Sequence, residues 1–263
     1  ASLVIVTVML IDDLKELPAL IKLFFQLVAV AIVVAAGIGI DFLPNPFGQA
    51  INLNSVYIPL NLFGTNYHFS LWSDLLTAVW LIGMMNVVNF IDGVDGLAAG
   101  ISAIAGLTLF FLSLIVAQSA VAMIAIILVG ATLGFLYWNF YPAKIFMGDC
   151  GSMFLGLMLG VIPLISGGKL ATAFLVLGFA IVDGLIVAAA RIARGKNPLT
   201  TPDKTHLHHR FLAAGFSVPV AVISMYIIAG LFGWVALRTT TVDKIIASSI
   251  LIVLVGGLIL VLN

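Results

Sequence analysis

Nine apolar segments follow one another along the chain, at 1–11, 20–40, 72–91, 97–117, 119–138, 152–167, 169–190, 217–237 and 245–262. All but the first are near the ~20 residues that a helix needs to cross the hydrocarbon of a bilayer. Hydrocarbon offers no partner to a backbone N–H or C=O, so segments of this kind must be helices. The sequence therefore predicts an all-α, multi-pass transmembrane protein of about nine spans, the first of them partial. Composition agrees: 63% of the 263 residues are hydrophobic and 8% are charged, whereas a soluble surface needs about a quarter charged. A net charge of zero excludes a whole-protein nucleic-acid footprint. The single Cys150 excludes an internal disulfide or a cysteine metal cluster, and beside Gly151 it reads as a small packing residue. The first eleven residues reach only ~16 Å as helix and lack the basic start and cleavage site of a signal peptide. They read as the tail of a spanning helix whose beginning lies outside this chain.

Counting spans places the polar segments. If Asp12 faces one compartment, spans 20–40 and 72–91 bring the stretch Asn86–Gly100 back to it. The pairs 97–117 with 119–138, and 152–167 with 169–190, bring back the segments around Asp149 and 191–216. That side carries Lys15, Lys22, Lys144, Arg191, Arg194, Lys196, Lys204 and Arg210, against Lys169, Arg238 and Lys244 on the other. The excess of basic residues assigns it to the cytoplasm. It also carries eight of the eleven acids, among them Asp183 and Asp203. Carboxylates do not govern topology, so their crowding points to a site for a cation and an anionic substrate. In the outer segment 41–71, Ile51–Asn54 and Val56–Leu60 read as a small hairpin, with Pro59 marking an edge strand.

Four groups carry the chemistry. Asp12-Asp13 open the first polar segment, and Lys22 and Gln26 share a helix face; alone, this reads as an acidic cap and a snorkelling lysine. Asn86-x-x-Asn89-x-x-Asp92-Gly93-x-Asp95-Gly96 spaces Asn89, Asp92 and Asp95 one turn apart along one stripe if the segment is helical. Its glycines allow a ligand close to the backbone, and Asp95 is also a candidate cap for the span near Leu97. Met147-Gly148-Asp149-Cys150-Gly151-Ser152 sets one acid between glycines before a span. It reads either as a helix cap or as a carboxylate sharing Mg²⁺ with a carboxamide, and Mg²⁺ on one or two protein oxygens plus phosphate suits a nucleotide diphosphate. The last group is Pro202-Asp203-Lys204-Thr205-His206-Leu207-His208-His209-Arg210. A zinc site is the rival there, but a cluster of Arg and protonated His that binds phosphates fits better.

In this order the four groups resemble the polyprenyl-phosphate N-acetylhexosamine-1-phosphate transferase family across nearly the whole chain, and His206-x-His208-His209-Arg210 resembles its N-acetylglucosamine branch. The resemblance implies a single integral membrane domain over 1–263 that lacks the family's first N-terminal helices. It implies transfer of N-acetylglucosamine-1-phosphate from UDP-N-acetylglucosamine to undecaprenyl phosphate, with release of UMP. The reaction would be the first membrane step of cell-envelope polysaccharide synthesis, on the cytoplasmic face of a bacterial inner membrane, with Mg²⁺ (or Mn²⁺) and as a homodimer. By motif position, Asp149 and Asn89 would hold the metal, with Asp92 near it. Asp12 and Asp13 would bind or activate the lipid phosphate, Lys22 would neutralise phosphate, and Asp95 would contact the uridine. His206, His208, His209 and Arg210 would hold diphosphate and sugar; Asn86 belongs to the substrate site. Direct attack is favoured over a covalent carboxylate intermediate. The runner-up is phospho-N-acetylmuramoyl-pentapeptide transferase. From other classes come an ion-coupled secondary transporter, against which the lack of a repeat speaks, and a non-catalytic scaffold.

Overall fold

The computed structural model describes residues 1–43, 45, 48–62, 65–167, 170–195, 206–239 and 241–262. Lys169, Lys196, Asp203 and Lys204, used above for topology, lie outside the described residues. The helices are α1 (Ser2–Lys15), α2 (Ala19–Ala35), α3 (Leu71–Ile91), α4 (Leu97–Ile115), α5 (Ser119–Asn139), α6 (Gly148–Ile165), α7 (Leu170–Ala193), α8 (Leu207–Ala213), α9 (Val218–Arg238) and α10 (Thr241–Val261). Seven of them, α3 to α7 with α9 and α10, are long and apolar enough to cross a membrane. Their outward faces carry exposed apolar side chains such as Val79, Ile127, Leu231 and Val253, which suits contact with lipid and would be untenable in water over so large an area. The chain is a multi-pass helical membrane protein.

Helix ends differ from the sequence expectation where polar residues continue a helix. α1 runs through Asp12-Asp13 to Lys15, and α6 starts at Gly148, so Asp149 lies inside its first turn. α3 ends at Ile91 with Asp92 as its C-cap. Asn86 and Asn89 are thus helical, whereas Asp95 sits beyond the helix, and the three-residue stripe breaks at Asp92. Asp95 does not cap α4: Gly96 is the N-cap, at φ 80°, and an Asp95 oxygen accepts the Ala143 N–H at 3.0 Å. The expected hairpin of 51–54 with 56–60 is replaced by two ribbons. β1 (Phe42–Leu43) pairs with β2 (Ile51–Asn52), and β3 (Tyr57–Leu62) with β4 (Thr65–Ser70), both antiparallel. An Asn52 oxygen accepts the Asn54 N–H at 2.8 Å, a local turn that ends the first strand pair. Pro59 is tolerated because each strand of a two-stranded ribbon has a free edge.

Two buried clusters meet on α3 and α6. One joins Val88 and Leu159 to Ile101, Val176 and Met225 of α4, α7 and α9. The other joins Met85 and Leu157 to Met9 and Val33 of α1 and α2. The two central helices come close because α6 offers glycine there: a Cβ on Gly156 would lie 2.5 Å from the Met84 carbonyl oxygen and the Met85 Cα. The Trp80 indole donates to the Gly160 carbonyl at 3.0 Å across the same seam. Gly156→Ala should therefore push backbone against backbone and cost about 1–3 kcal/mol. Its unfolding midpoint in detergent should fall, while Gly130→Ala, which meets nothing within 4 Å, should not lower it, because alanine is the better helix former.

Candidate active site

The polar groups gather at one end of the bundle, around the first turn of α6. Asp13, from the end of α1, accepts the backbone N–H of Asp149 at 2.8 Å and of Cys150 at 3.2 Å. It supplies from 136 positions away the cap that the helix lacks locally, since Met147 at the N-cap makes no side-chain bond. Gly148 makes this approach possible, because a Cβ there would lie 2.5 Å from an Asp13 oxygen and φ is +65°. The reading of Asp149 as its own helix cap is thus replaced by a cap from Asp13.

The Asp149 side chain has two partners. One oxygen accepts from the Lys22 ammonium at 2.8 Å and the other from the Asn89 carboxamide at 2.8 Å. Lys22 also donates to Asp12 at 2.7 Å, and Asp12, 5% exposed, accepts the Leu17 N–H at 2.6 Å, fixing the turn between α1 and α2. Asn89 donates further to the Ser152 hydroxyl at 3.0 Å. Ligand atoms of Asp12, Asp13 and Asp149 lie within 4.8 Å of one another. Three carboxylates around one ammonium leave excess negative charge, and hard oxygen donors in this number suit a divalent cation such as Mg²⁺. Asn89 can add its amide oxygen by a half-turn of the side chain. Among the described residues this carboxylate set is the one that groups as a metal site; the histidines do not.

Asn89, Asp92, Asp95 and Asp149 line one open cavity of about 400 Å³. Burial pushes the Asp92 carboxyl up to about 7, and the charges of Asp149 and Asp13 add to the shift. Asn86 stands apart. It donates to the Ile82 carbonyl at 2.8 Å and to Gln26 at 3.3 Å, and it lines a second, apolar cavity of about 790 Å³ that runs along α3 with Leu27, Val79, Gly83 and Phe174. Phe90 forms a wall of both cavities.

The histidines reach the site through α8. The rings of His206 and His208 stack 5.7 Å apart with 1° between planes, and His208 lies 4.3 Å from His209. The His208 Nε2 would be 2.9 Å from a Cβ on Gly93, so the glycine makes room for the ring. That nitrogen is buried without a hydrogen-bond partner. Burial, with the neighbouring His209 and His206, pushes His208 down to about 3. The expectation of a protonated cluster therefore fails at His208, which is a neutral imidazole able to bind phosphate or sugar only as an uncharged hydrogen-bonding group. Arg210 sits half-buried on α8. Asp183 of α7, not singled out from the sequence, bonds His206 and the start of α8. Its signal was present as an acid inside an apolar run. At the opposite end of the bundle, Lys244 donates to Thr172 at 2.9 Å. The span count thus placed the four polar groups together correctly.

These features define a site at one end of the bundle that pairs a carboxylate cluster with an adjoining polar cavity and a long apolar groove. Residues 1–167 match the model of glycosyl transferase family 4, and the chain belongs to that family. It is 34% identical over 238 residues to the probable undecaprenyl-phosphate N-acetylglucosaminyl 1-phosphate transferase of Bacillus subtilis, covering 88% of this chain and 62% of that protein. It is 35% identical over 264 residues to the decaprenyl-phosphate N-acetylglucosaminephosphotransferase of Mycolicibacterium smegmatis, covering 91% and 62%. The match to the phospho-N-acetylmuramoyl-pentapeptide-transferase of Levilactobacillus brevis is 35% over 155 residues, covering 58% and 47%. The chain thus spans about 62% of the length of the first two relatives. The family read from the four motifs is borne out.

Asp92 gives a test of the site's electrostatics. Its folded value lies above the unfolded one, so its stabilising contribution is complete below about pH 4 and is lost as pH rises through about 7. With divalent ions chelated, Asp92→Asn should raise the unfolding free energy at pH 8, by roughly 1–3 kcal/mol, and leave it unchanged at pH 4. Equal shifts at both would show that Asp92 does not titrate in this range.

Proposed function

We propose that the protein transfers N-acetylglucosamine-1-phosphate from UDP-N-acetylglucosamine to undecaprenyl phosphate, releasing UMP, at the cytoplasmic face of a bacterial plasma membrane. The observation that carries this reading is the meeting of Asp12, Asp13, Lys22, Asn89 and Asp149 beside a polar cavity that shares a wall with an apolar groove. A nucleotide diphosphate suits the first and a polyprenyl tail the second. The two most extensive matches reported above are both named for N-acetylglucosamine transfer to a polyprenyl phosphate, which favours this branch over the muramoyl-pentapeptide one. Such a reaction is the first membrane step of a cell-envelope polysaccharide.

The lipid phosphate carries its own nucleophile. One of its oxygens attacks the sugar-linked phosphorus, a new P–O bond forms in line, and the bond to UMP breaks with the electron pair leaving on the UMP oxygen. The obstacle is repulsion between two anions, so the task of the site is alignment and charge compensation. Lys22 and Arg210 compensate phosphate charge. Asp12 or Asp13 accepts the proton of a monoanionic lipid phosphate. Asp149 and Asn89 would hold Mg²⁺, which supplies screening of the diphosphate charge when bound. Asp92 and Asp95 both border the same cavity, and Asp95 would contact the uridine. The neutral His208 contributes hydrogen bonding without charge.

The purified protein with undecaprenyl phosphate should release UMP from UDP-N-acetylglucosamine in a Mg²⁺-dependent manner and should leave UDP-N-acetylmuramoyl-pentapeptide unused. The reverse preference would move it to the other branch, and release of UMP without lipid would favour a covalent route. Asp149→Ala should abolish turnover with the fold retained. Arg210→Ala should raise the KM for the UDP-sugar more than that for the lipid.

A further inference from the structure

Asp183 lies thirteen residues into α7, in the apolar run Ile181–Leu185, and is 2% exposed. An acid in such a place is costly unless it has a task. Both of its oxygens are engaged at one locus: Oδ2 faces the His206 Nδ1 at 2.8 Å, and Oδ1 accepts the Leu207 N–H at 2.9 Å. His206 is the N-cap residue of α8 and makes no capping bond with its own side chain. Asp183 therefore closes the first turn of α8 and meets the first ring of the histidine cluster with the same carboxylate. A carboxylate oxygen in this contact accepts, so the Nδ1 that faces it carries a proton. The fixed ring stacks on His208 and lies 5.6 Å from Phe90, the shared wall of the two cavities.

We propose that Asp183 is the positioning residue of the histidine cluster: it fixes the Nδ1–H tautomer of His206 while capping α8, and so sets the hydrogen-bonding face that the cluster presents to a phosphate- or sugar-bearing ligand. This rests on the reading above in that the histidines border the substrate site. A carboxylate that only capped α8 would be replaceable, because asparagine caps as well as aspartate does. Asp183→Asn separates the two roles. Its amide oxygen still accepts the Leu207 N–H, while its NH₂ faces Nδ1 and forces the proton to Nε2.

In protein labelled with ¹⁵N-histidine, His206, assigned by its loss in His206→Gln, should show a protonated Nδ1. In Asp183→Asn the proton should move to Nε2, with the unfolding midpoint unchanged. UMP release, read as kcat/KM, should fall by about 10–100-fold in Asp183→Asn, the range seen where a carboxylate orients a metal-ligating histidine. In the His206→Gln background the same change should cost less than about twofold, since the two residues act as one unit. An Nδ1–H tautomer that persists in Asp183→Asn, or losses that add in the double variant, would overturn the proposal. If the wild-type protein releases no UMP, the substrate reading has failed, and the tautomer measurement still decides the role of Asp183.

Discussion

The first turn of α6 is where the molecule is tied together. A helix start exposes N–H groups that have no partner in their own helix and carries the positive end of the helix dipole. Asp13 satisfies two of those groups, and this bond fixes α1 against α6. The second residue of the same helix is Asp149, whose side chain draws in Lys22 from α2 and Asn89 from α3. Three helices are thus held on a fourth by bonds that all end within two residues. The backbone approach at Gly156 lets α3 and α6 come close enough for Asn89 to reach. The acidic cluster follows from this junction: carboxylates that cap and link helices also end up facing one another, and one ammonium among three of them leaves room for more positive charge.

Much of this was legible in the sequence. Apolar runs of about twenty residues mark the seven helices long enough to cross, and counting the shorter α2 with them brings Asp12, Asn89, Asp149 and His206 to one end by parity. What parity does not give is which side chain meets which. The bond from Asp13 to α6 joins residues 136 positions apart and rests on a backbone donor, which no spacing rule reports. Asp95 sits one residue before a glycine N-cap, where a local reading assigns it to α4; the structure sends it to Ala143, on the loop between α5 and α6. The strand pairing in 41–71 was misread for a related reason: a short alternating run names a strand but not its partner. Asp183 was readable by a rule that needed no partner, since an acid in the middle of an apolar segment has a function by default.

The histidine motif shows how burial changes chemistry that composition suggests. Four basic or basic-capable residues among five read as an anion-binding cluster. Yet α8 buries Leu207 at 1% and His208 at 2% exposure and sets the His208 ring against Gly93. A charge placed there would lose its hydration without gaining a counter-ion, so the ring stays neutral. In the reading proposed above, compensation of substrate charge would then fall to Lys22 and Arg210, and His208 would offer direction and shape. The division has a use. Fixed dipoles discriminate ligands by geometry, whereas mobile charges attract any anion.

α3 also explains how a ligand that is half lipid and half anion would find its register. Along this one helix, Val79, Gly83 and Val87 border the apolar groove, and Asn89 and Asp92 border the polar cavity, with Phe90 on both. The change from apolar to polar lining occurs within one turn, about 5 Å of helix. An acyl or prenyl chain laid in the groove would lose free energy of burial for every methylene pulled past Phe90 into the polar side. A phosphate drawn the other way would lose its solvation without a partner. The two penalties oppose each other, so the head of such a molecule has one favourable position, at the level of Asn89. That is also the level at which the carboxamide of Asn89 meets Asp149, so the same helix would set the register of such a ligand and the position of the carboxylate cluster.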